Sequence, residues 1–266
     1  MTDPLAPIDG YLDAVARAAT RAEEIGPFTL FVREGPGWPF YARPKPGESR
    51  FTLADVETVL ARQRELGVPR TFEWLMDRAA GLDDALRAAG LRVRIHPLMV
   101  LGATELAGVD PPAGTTIATA TAEDDLASMM AVAELGFGSP GTAVGALGPE
   151  ALAGAAAAID PKRVEIHRRR IRGGQTVTVT AWQDGRPVAT GSHQPVGGVT
   201  EIVGVATLPA LRRRGLGAAV ASALAADAFA QGAGTVFLSA DDDTVARVYA
   251  RVGFRQIGHA GAAEPA

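Results

Sequence analysis

Three adjacent arginines, Arg212, Arg213 and Arg214, run into two glycines one residue apart, Gly215 and Gly217, with Leu216 between them and Ala218 after. Guanidinium groups beside glycines suit a phosphate. The arginines supply charge and donors, and a residue without Cβ lets an anion approach backbone N–H groups. The flanking residues add a setting. The apolar run Ile202 to Ala206 predicts a buried strand, which Pro209 must end because it cannot donate to a ladder. From Gly215 to Gln231 nearly every residue suits a helix, Leu216, Val220 and Leu224 recur every four positions, and Gly232 and Gly234 close the segment. Strand, basic glycine turn and helix thus follow in order. The first N–H groups of such a helix are unpaired and stand at the positive end of its dipole, which makes an anion site.

The spacing R-x-x-G-x-G of Arg212, Gly215 and Gly217 resembles the acyl-CoA pyrophosphate loop of the GNAT superfamily of N-acyltransferases. A second stretch, Asp243-Thr244-Val245-Ala246-Arg247-Val248-Tyr249-Ala250-Arg251-Val252-Gly253-Phe254, is similar to that family's N-x-x-A-x-x-L-Y-x-x-x-G-F signature, with Asp for Asn and Val for Leu. The resemblance covers residues 115–259. It implies an α/β (α+β) fold with a mixed sheet, in which an antiparallel meander leads to a parallel strand pair that splays to admit a pantetheine arm. It also implies acetyl-CoA as co-substrate, held by Arg212, Arg213, Arg214, Gly215, Leu216, Gly217 and Ala218. Backbone N–H groups of Val205, Ala206 and Thr207 would polarise the thioester carbonyl where the strands part. Tyr249 would touch the co-substrate and act as the acid.

Acyl transfer to an amine needs a free lone pair on the nucleophile, a polarised carbonyl and a proton for the departing thiolate. An amine with a pKa near 10.4 is almost wholly protonated at pH 7, a deficit of about 4 to 5 kcal/mol, so a base is useful. Glu201 stands at the mouth of the strand that feeds the glycine turn, where the histone-acetylating branch of the superfamily places its base. The alternative is an exposed carboxylate at a strand end. His193, on the preceding strand, is the second candidate base, although a solvated or hydrogen-bonded histidine is the plainer reading. A tyrosine phenol with a pKa near 10 stays protonated at pH 7 and can pass its proton to a thiolate near 8.5. The alternative for Tyr249 is an amphipathic core tyrosine.

Several classes are disfavoured. The 266 residues carry a net charge of −4 and no cysteine, which disfavours nucleic-acid binding and rules out disulfides and thiolate metal sites. His96, His167, His193 and His259 show no metal-ligand spacing, Asp241-Asp242-Asp243 reads as a strand end followed by a helix cap at Asp243, and no metal is expected. Neither G-x-S-x-G nor G-x-G-x-x-G occurs. No apolar run reaches membrane-spanning length, the amino terminus is not a secretory signal and the lack of cysteine fits a reducing compartment, so a cytoplasmic protein is expected; abundant alanine and glycine, with arginine far outnumbering lysine, suggest a bacterial source. Arg168-Arg169-Arg170 reads as a solvated strand face, or as a contact for an acidic substrate.

Along the chain, the periodicity predicts helices at 11–24, 52–66, 82–89, 121–136 and 149–158, with Thr52 and Thr121 as caps and Asp55 and Asp124 in the capping-box position. Strands are predicted at 28–32, 72–76, 91–101 and 115–121. The aromatic and proline-rich stretch 35–47 reads as a packed loop. Turn dipeptides at Gly173-Gly174, Asp184-Gly185 and Gly197-Gly198 predict a four-strand meander over 163–172, 175–183, 186–196 and 199–208, with Thr176, Thr178 and Thr180 on a polar face. The helix to Gln231 then predicts a strand at 235–240 parallel to 202–206. Pro111-Pro112 marks a boundary, giving two domains: 1–110, a degenerate GNAT-like copy or accessory domain, and 111–266, the acetyltransferase domain. The acceptor is a small-molecule or protein amine. A non-enzymatic acyl-CoA-binding module is the rival reading.

Overall fold

The computed structural model describes residues 3–34, 40–139 and 141–266; Pro36, Trp38 and Pro39 of the proline-rich stretch lie outside them. In chain order the elements begin with α1 (Ala6–Arg17), β1 (Arg21–Ile25), β2 (Phe28–Val32), β3 (Ala42–Pro44), α2 (Leu53–Leu66), β4 (Phe72–Leu75), α3 (Leu82–Ala88) and β5 (Leu91–Leu101). Next come β6 (Thr116–Thr119), α4 (Leu126–Phe137), α5 (Leu152–Ala157), α6 (Pro161–Arg172), β7 (Val177–Gln183), β8 (Arg186–Val196) and β9 (Val199–Thr207). The chain closes with α7 (Leu216–Ala230), β10 (Thr235–Ser239), α8 (Asp243–Ala250) and β11 (Arg255–Pro265). Among the described residues no helix is long and apolar enough to cross a membrane.

The fold is α/β, with sheets of mixed parallel and antiparallel strands flanked by helices. Contacts divide the chain into two compact units, and neither is continuous in sequence. The first holds Met1–Met99, Ser239–Asp242 and Gln256–Ala266; the second holds Val100–Leu238 and Asp243–Arg255. A single cut between 110 and 111 does not reproduce this division, because the last strand is packed with the first unit.

In the first unit the strand order is β1-β2-β3-β4-β11-β5. The β3–β4 pair is parallel and the β4–β11 pair antiparallel, with Leu75 opposite Ala260 and Phe72 opposite Ala263. Phe28, Phe72, Trp74, Val56, Leu60, Leu82 and Leu86 form the core, and Ala263 joins it. The capping box at α2 is as the sequence predicts: Thr52 Oγ1 accepts from Asp55 N at 3.2 Å, Asp55 Oδ2 accepts from Thr52 N at 2.9 Å, and Gly67 ends the helix at φ 64°.

In the second unit the order is β10-β9-β8-β7-β6, antiparallel from β6 to β9 and parallel between β9 and β10. The expected meander is present, but its first strand is Thr116–Thr119. Residues 163–172 are helical instead. Asp160 caps α6 by accepting from Lys162 N at 2.9 Å, and Pro161 occupies the first turn, where its missing donor costs nothing. Val164 and Ile171, two turns apart, pack on a cluster of Ala120, Leu126 and Met129. Arg168, Arg169 and Arg170 therefore belong to a helix. The threonine face of β7 is buried rather than solvated, since α6 covers it: Arg170 Nε donates to Thr176 Oγ1 at 2.9 Å and His167 Nε2 lies 3.0 Å from Thr178 Oγ1. At α4 the effective cap is Asp125, which accepts from Ser128 N at 3.1 Å; Thr121 and Asp124 close the turn before it.

Candidate functional site

The site is built where β9 hands the chain to α7. Gly215 precedes the helix at φ 87°, a left-handed conformation that suits glycine, and no side chain caps the helix behind it. The first intrahelical bond runs from Ala219 N to Gly215 O at 3.0 Å, so the amides of Leu216, Gly217 and Ala218 carry the unpaired donors of the first turn. A Cβ at Gly217 would sit 3.6 Å from Thr207 Oγ1, on the side toward β9. Arg213, itself at φ 66°, and Arg214 are exposed beside this turn.

Arg212 is directed elsewhere. Its guanidinium donates to Gly136 O at 2.6 Å, Ser139 O at 2.7 Å and Ala143 O at 3.2 Å. These are the final turn of α4 and the segment that follows, where carbonyls lack helical partners and the dipole is negative. Two backbone bonds seal the same junction, Gly145 N to Pro209 O at 3.0 Å and Ala210 N to Leu147 O at 2.9 Å. Only Arg213 and Arg214 of the three arginines thus leave their charge at the glycine turn.

On the other side of the turn, the β9–β10 ladder runs from Val199 opposite Thr235 to Glu201 opposite Phe237, while β9 continues to Thr207. The strands stop pairing at Glu201. Three residues later β9 carries a bulge: the β8–β9 register jumps between Thr190 opposite Ala206 and Ser192 opposite Val203, and Gly204 takes φ 65°. A bulge leaves its extra residue out of the ladder and turns the backbone, here just before the amides of Val205, Ala206 and Thr207. A lone glycine inside a strand pattern is the signal that would have found it. Gly191 faces the bulge because a Cβ there would lie 2.9 Å from Val205 Cγ2 and 3.0 Å from Leu224 Cδ1.

His193 is fully buried, with Nδ1 3.0 Å from Thr200 Oγ1 and Nε2 2.8 Å from Asp227 Oδ2 on α7. It ties β8 and β9 to the helix as a buried, hydrogen-bonded histidine and not a solvated one. Since Thr200 points to the α7 side, alternation turns Glu201 to the other face of the sheet, where α4 packs on β8 and β9. Tyr249 lies on α8, which packs beside α7. The two candidate catalytic groups are therefore carried on opposite faces. Tyr249 is 9% exposed, meets Phe254 edge-to-face at 6.0 Å, and burial pushes its phenol up to about 12. Among the described residues no group of three or more histidine, aspartate or glutamate side chains is placed to hold a metal ion.

Residues 150–254 match the acetyltransferase (GNAT) family model. This part of the chain is a GNAT-family domain. The match begins at the residue after Pro149 and ends at Phe254, so both the R-x-x-G-x-G turn and the helix with Tyr249 fall inside it. The fold of the chain is also that of solved GNAT proteins. A GCN5-related N-acetyltransferase from Kribbella flavida aligns with 24% identity and a TM-score of 0.75, over 100% of this chain and 97% of its own. A GCN5-related N-acetyltransferase-like protein from Streptococcus suis aligns with 11% identity and a TM-score of 0.56, over 94% and 92%. A tandem GNAT protein from the clavulanic acid biosynthesis pathway aligns with 15% identity and a TM-score of 0.55, over 89% and 78%. None of the curated proteins matches the chain.

Proposed function

We propose that the GNAT domain transfers the acetyl group of acetyl-CoA directly to an amine of a small molecule or protein. The observation that carries this reading is the uncapped first turn of α7, opened by Gly215 at φ 87° and set against the part of β9 that has left β10. The pyrophosphate would lie on the amides of Leu216, Gly217 and Ala218, with Arg213 and Arg214 near it and the backbone of Arg212 in the loop. Acetyl-CoA supplies the activated thioester.

The remaining work falls to the chain. Amides of Val205, Ala206 and Thr207, re-aimed by the bulge at Gly204, would stabilise the charge that develops on the carbonyl oxygen. Glu201 would take a proton from the ammonium, directly or through water, so that nitrogen can bond to the carbonyl carbon. Tyr249 would give its proton to the sulfur as the carbon–sulfur bond breaks, and the phenolate would regain one as the acylated nitrogen loses its second proton. Residues up to about 110 are proposed as a degenerate copy that lacks the glycine turn.

A non-enzymatic acyl-CoA-binding module is the second reading, and one observation favours it. With its phenol near 12, Tyr249 would protonate a thiolate near 8.5 at a cost of about 5 kcal/mol. Release of free thiol from acetyl-CoA, measured over a panel of amines, separates the two. Release that depends on an amine supports the transferase; binding without release supports the module.

A further inference from the structure

Glu201 does not stand alone on its face of the sheet. His193 of β8 points to α7, where it meets Asp227, so alternation turns Ser192 and Gln194 the other way. Gln194 lies directly opposite Glu201, and Ser192 opposite Val203, the residue before Gly204. Ser192 thus borders the bulge and is the diagonal neighbour of Glu201, roughly 7 to 8 Å away in a regular ladder and within reach of one small group held between the two side chains.

Behind Ser192 runs a short chain of hydrogen bonds. Ser192 Oγ lies 2.8 Å from Thr178 Oγ1 on β7, and Thr178 Oγ1 lies 3.0 Å from His167 Nε2 on α6. The neighbouring pair, Thr180 and Thr190 at 3.2 Å, is buried at both ends and serves only to join two strands. The Ser192 pair differs. Thr178 is buried, whereas Ser192, like Glu201, is only half-buried and keeps an open side. A serine hydroxyl offers one hydrogen and two lone pairs. Its contact with Thr178 uses one of these, and whichever oxygen donates, Ser192 Oγ retains a lone pair for an incoming N–H. At the far end, burial and then Arg170 push His167 down from its ordinary value, so the ring stays uncharged at neutral pH and does not repel a cation.

We propose that Ser192 forms the acceptor subsite together with Glu201: Ser192 Oγ accepts one N–H of the incoming ammonium while Glu201 takes a proton from the same nitrogen, and Thr178 and His167 are positioning residues that hold the serine hydroxyl. The inference rests on the transferase reading and deepens it. Two points of attachment fix the nitrogen beside the amides that follow Gly204, which a single carboxylate on a strand end does not do.

The test uses the full chain and measures thiol release from acetyl-CoA with spermidine, L-lysine, tyramine and glycinamide, and the fastest of these is carried into the variants. Ser192→Ala should raise the KM for the amine about tenfold, the loss of one hydrogen bond to a charged group, and leave the KM for acetyl-CoA unchanged. Thr178→Val and His167→Leu should move the amine KM in the same direction. His167→Gln, whose side-chain carbonyl can accept from Thr178, should restore it. An unchanged amine KM in Ser192→Ala overturns the subsite, as does an equal rise in the KM for acetyl-CoA. His167→Gln as impaired as a folded His167→Leu overturns the positioning role. Should His167→Leu or Thr178→Val fail to fold, Ser192→Ala decides alone. The wild-type arm keeps the two readings apart: no release with any of the four amines removes the transferase and this subsite with it, whereas release that Ser192→Ala leaves untouched removes the subsite only.

Discussion

Arg212 Nη2 stands 2.6 Å from the carbonyl oxygen of Gly136, so the first arginine of the glycine-turn motif closes the end of α4 rather than adding charge to the turn. A positive group at a helix carboxyl end satisfies carbonyls that have no amide partner and opposes the negative pole of the dipole. Through its contacts the turn is fastened to Gly136, Ser139 and Ala143.

Arg212→Ala should therefore lower stability, by about 2 kcal/mol for the loss of charged hydrogen bonds to carbonyls. Arg213→Ala and Arg214→Ala, at exposed positions, should leave stability nearly unchanged while weakening acetyl-CoA binding. Denaturant unfolding and calorimetric titration of all three variants check the contrast. Equal stability for Arg212→Ala and wild type would refute the fastening role.

Gly215→Ala places a Cβ on a residue at φ 87°, at a cost of about 1 to 2 kcal/mol. On the proposed function, acetyl-CoA at about a hundred times its dissociation constant adds roughly 2.7 kcal/mol to the wild type, a rise in Tm of a few degrees. Gly215→Asp should abolish that rise, since a carboxylate would occupy the anion site. Thermal unfolding with and without acetyl-CoA measures both effects.

Tyr249→Phe should slow turnover and leave acetyl-CoA affinity largely intact. The phenol's value of about 12 adds a pH prediction. Tyr249 stays protonated throughout the neutral and mildly alkaline range, so no loss of rate near pH 10 should come from its ionisation. A wild-type rate that falls with an apparent pKa near 10, and no longer falls in Tyr249→Phe, would contradict the buried environment.

His167 provides a stability test. It is pushed down from its ordinary value, first by burial and then by Arg170, so the folded state holds it neutral while the unfolded chain protonates it near 6.5. Where the unfolded state binds more protons, stability rises with pH. His167 thus costs nothing above about pH 6.5 and destabilises progressively as pH falls toward its lowered folded value. His167→Gln should flatten this part of the stability curve, read from denaturant midpoints over a pH series.

Much of this was legible because local chemistry decided it. Thr52 and Asp55 three residues apart before an apolar run leave few alternatives, and the glycine turn announces itself by residue type alone. Residues 163–172 misled because the charges of Arg168, Arg169 and Arg170 break up the apolar pattern, and the decisive cue, Asp160-Pro161 as cap and first turn, lay outside the segment being read. The aim of the Arg212 side chain was hidden for another reason. Its partners are backbone carbonyls some seventy positions away, and a carbonyl has no identity in a sequence. β11 was missed because Gly258, Ala260, Gly261 and Ala262 carry little strand preference; their pairing with β4 and their fit against Trp74 hold them there.

That late strand sets an order of events during synthesis. At about 5 to 20 residues per second, roughly eight to thirty seconds separate the appearance of Met99 from that of Gln256. For that interval β4 and β5 must wait on the ribosome without the strand that belongs between them, each with an open edge that invites a stranger. Chaperone occupancy of the nascent chain should be greatest in this window, and release should follow the arrival of the final residues.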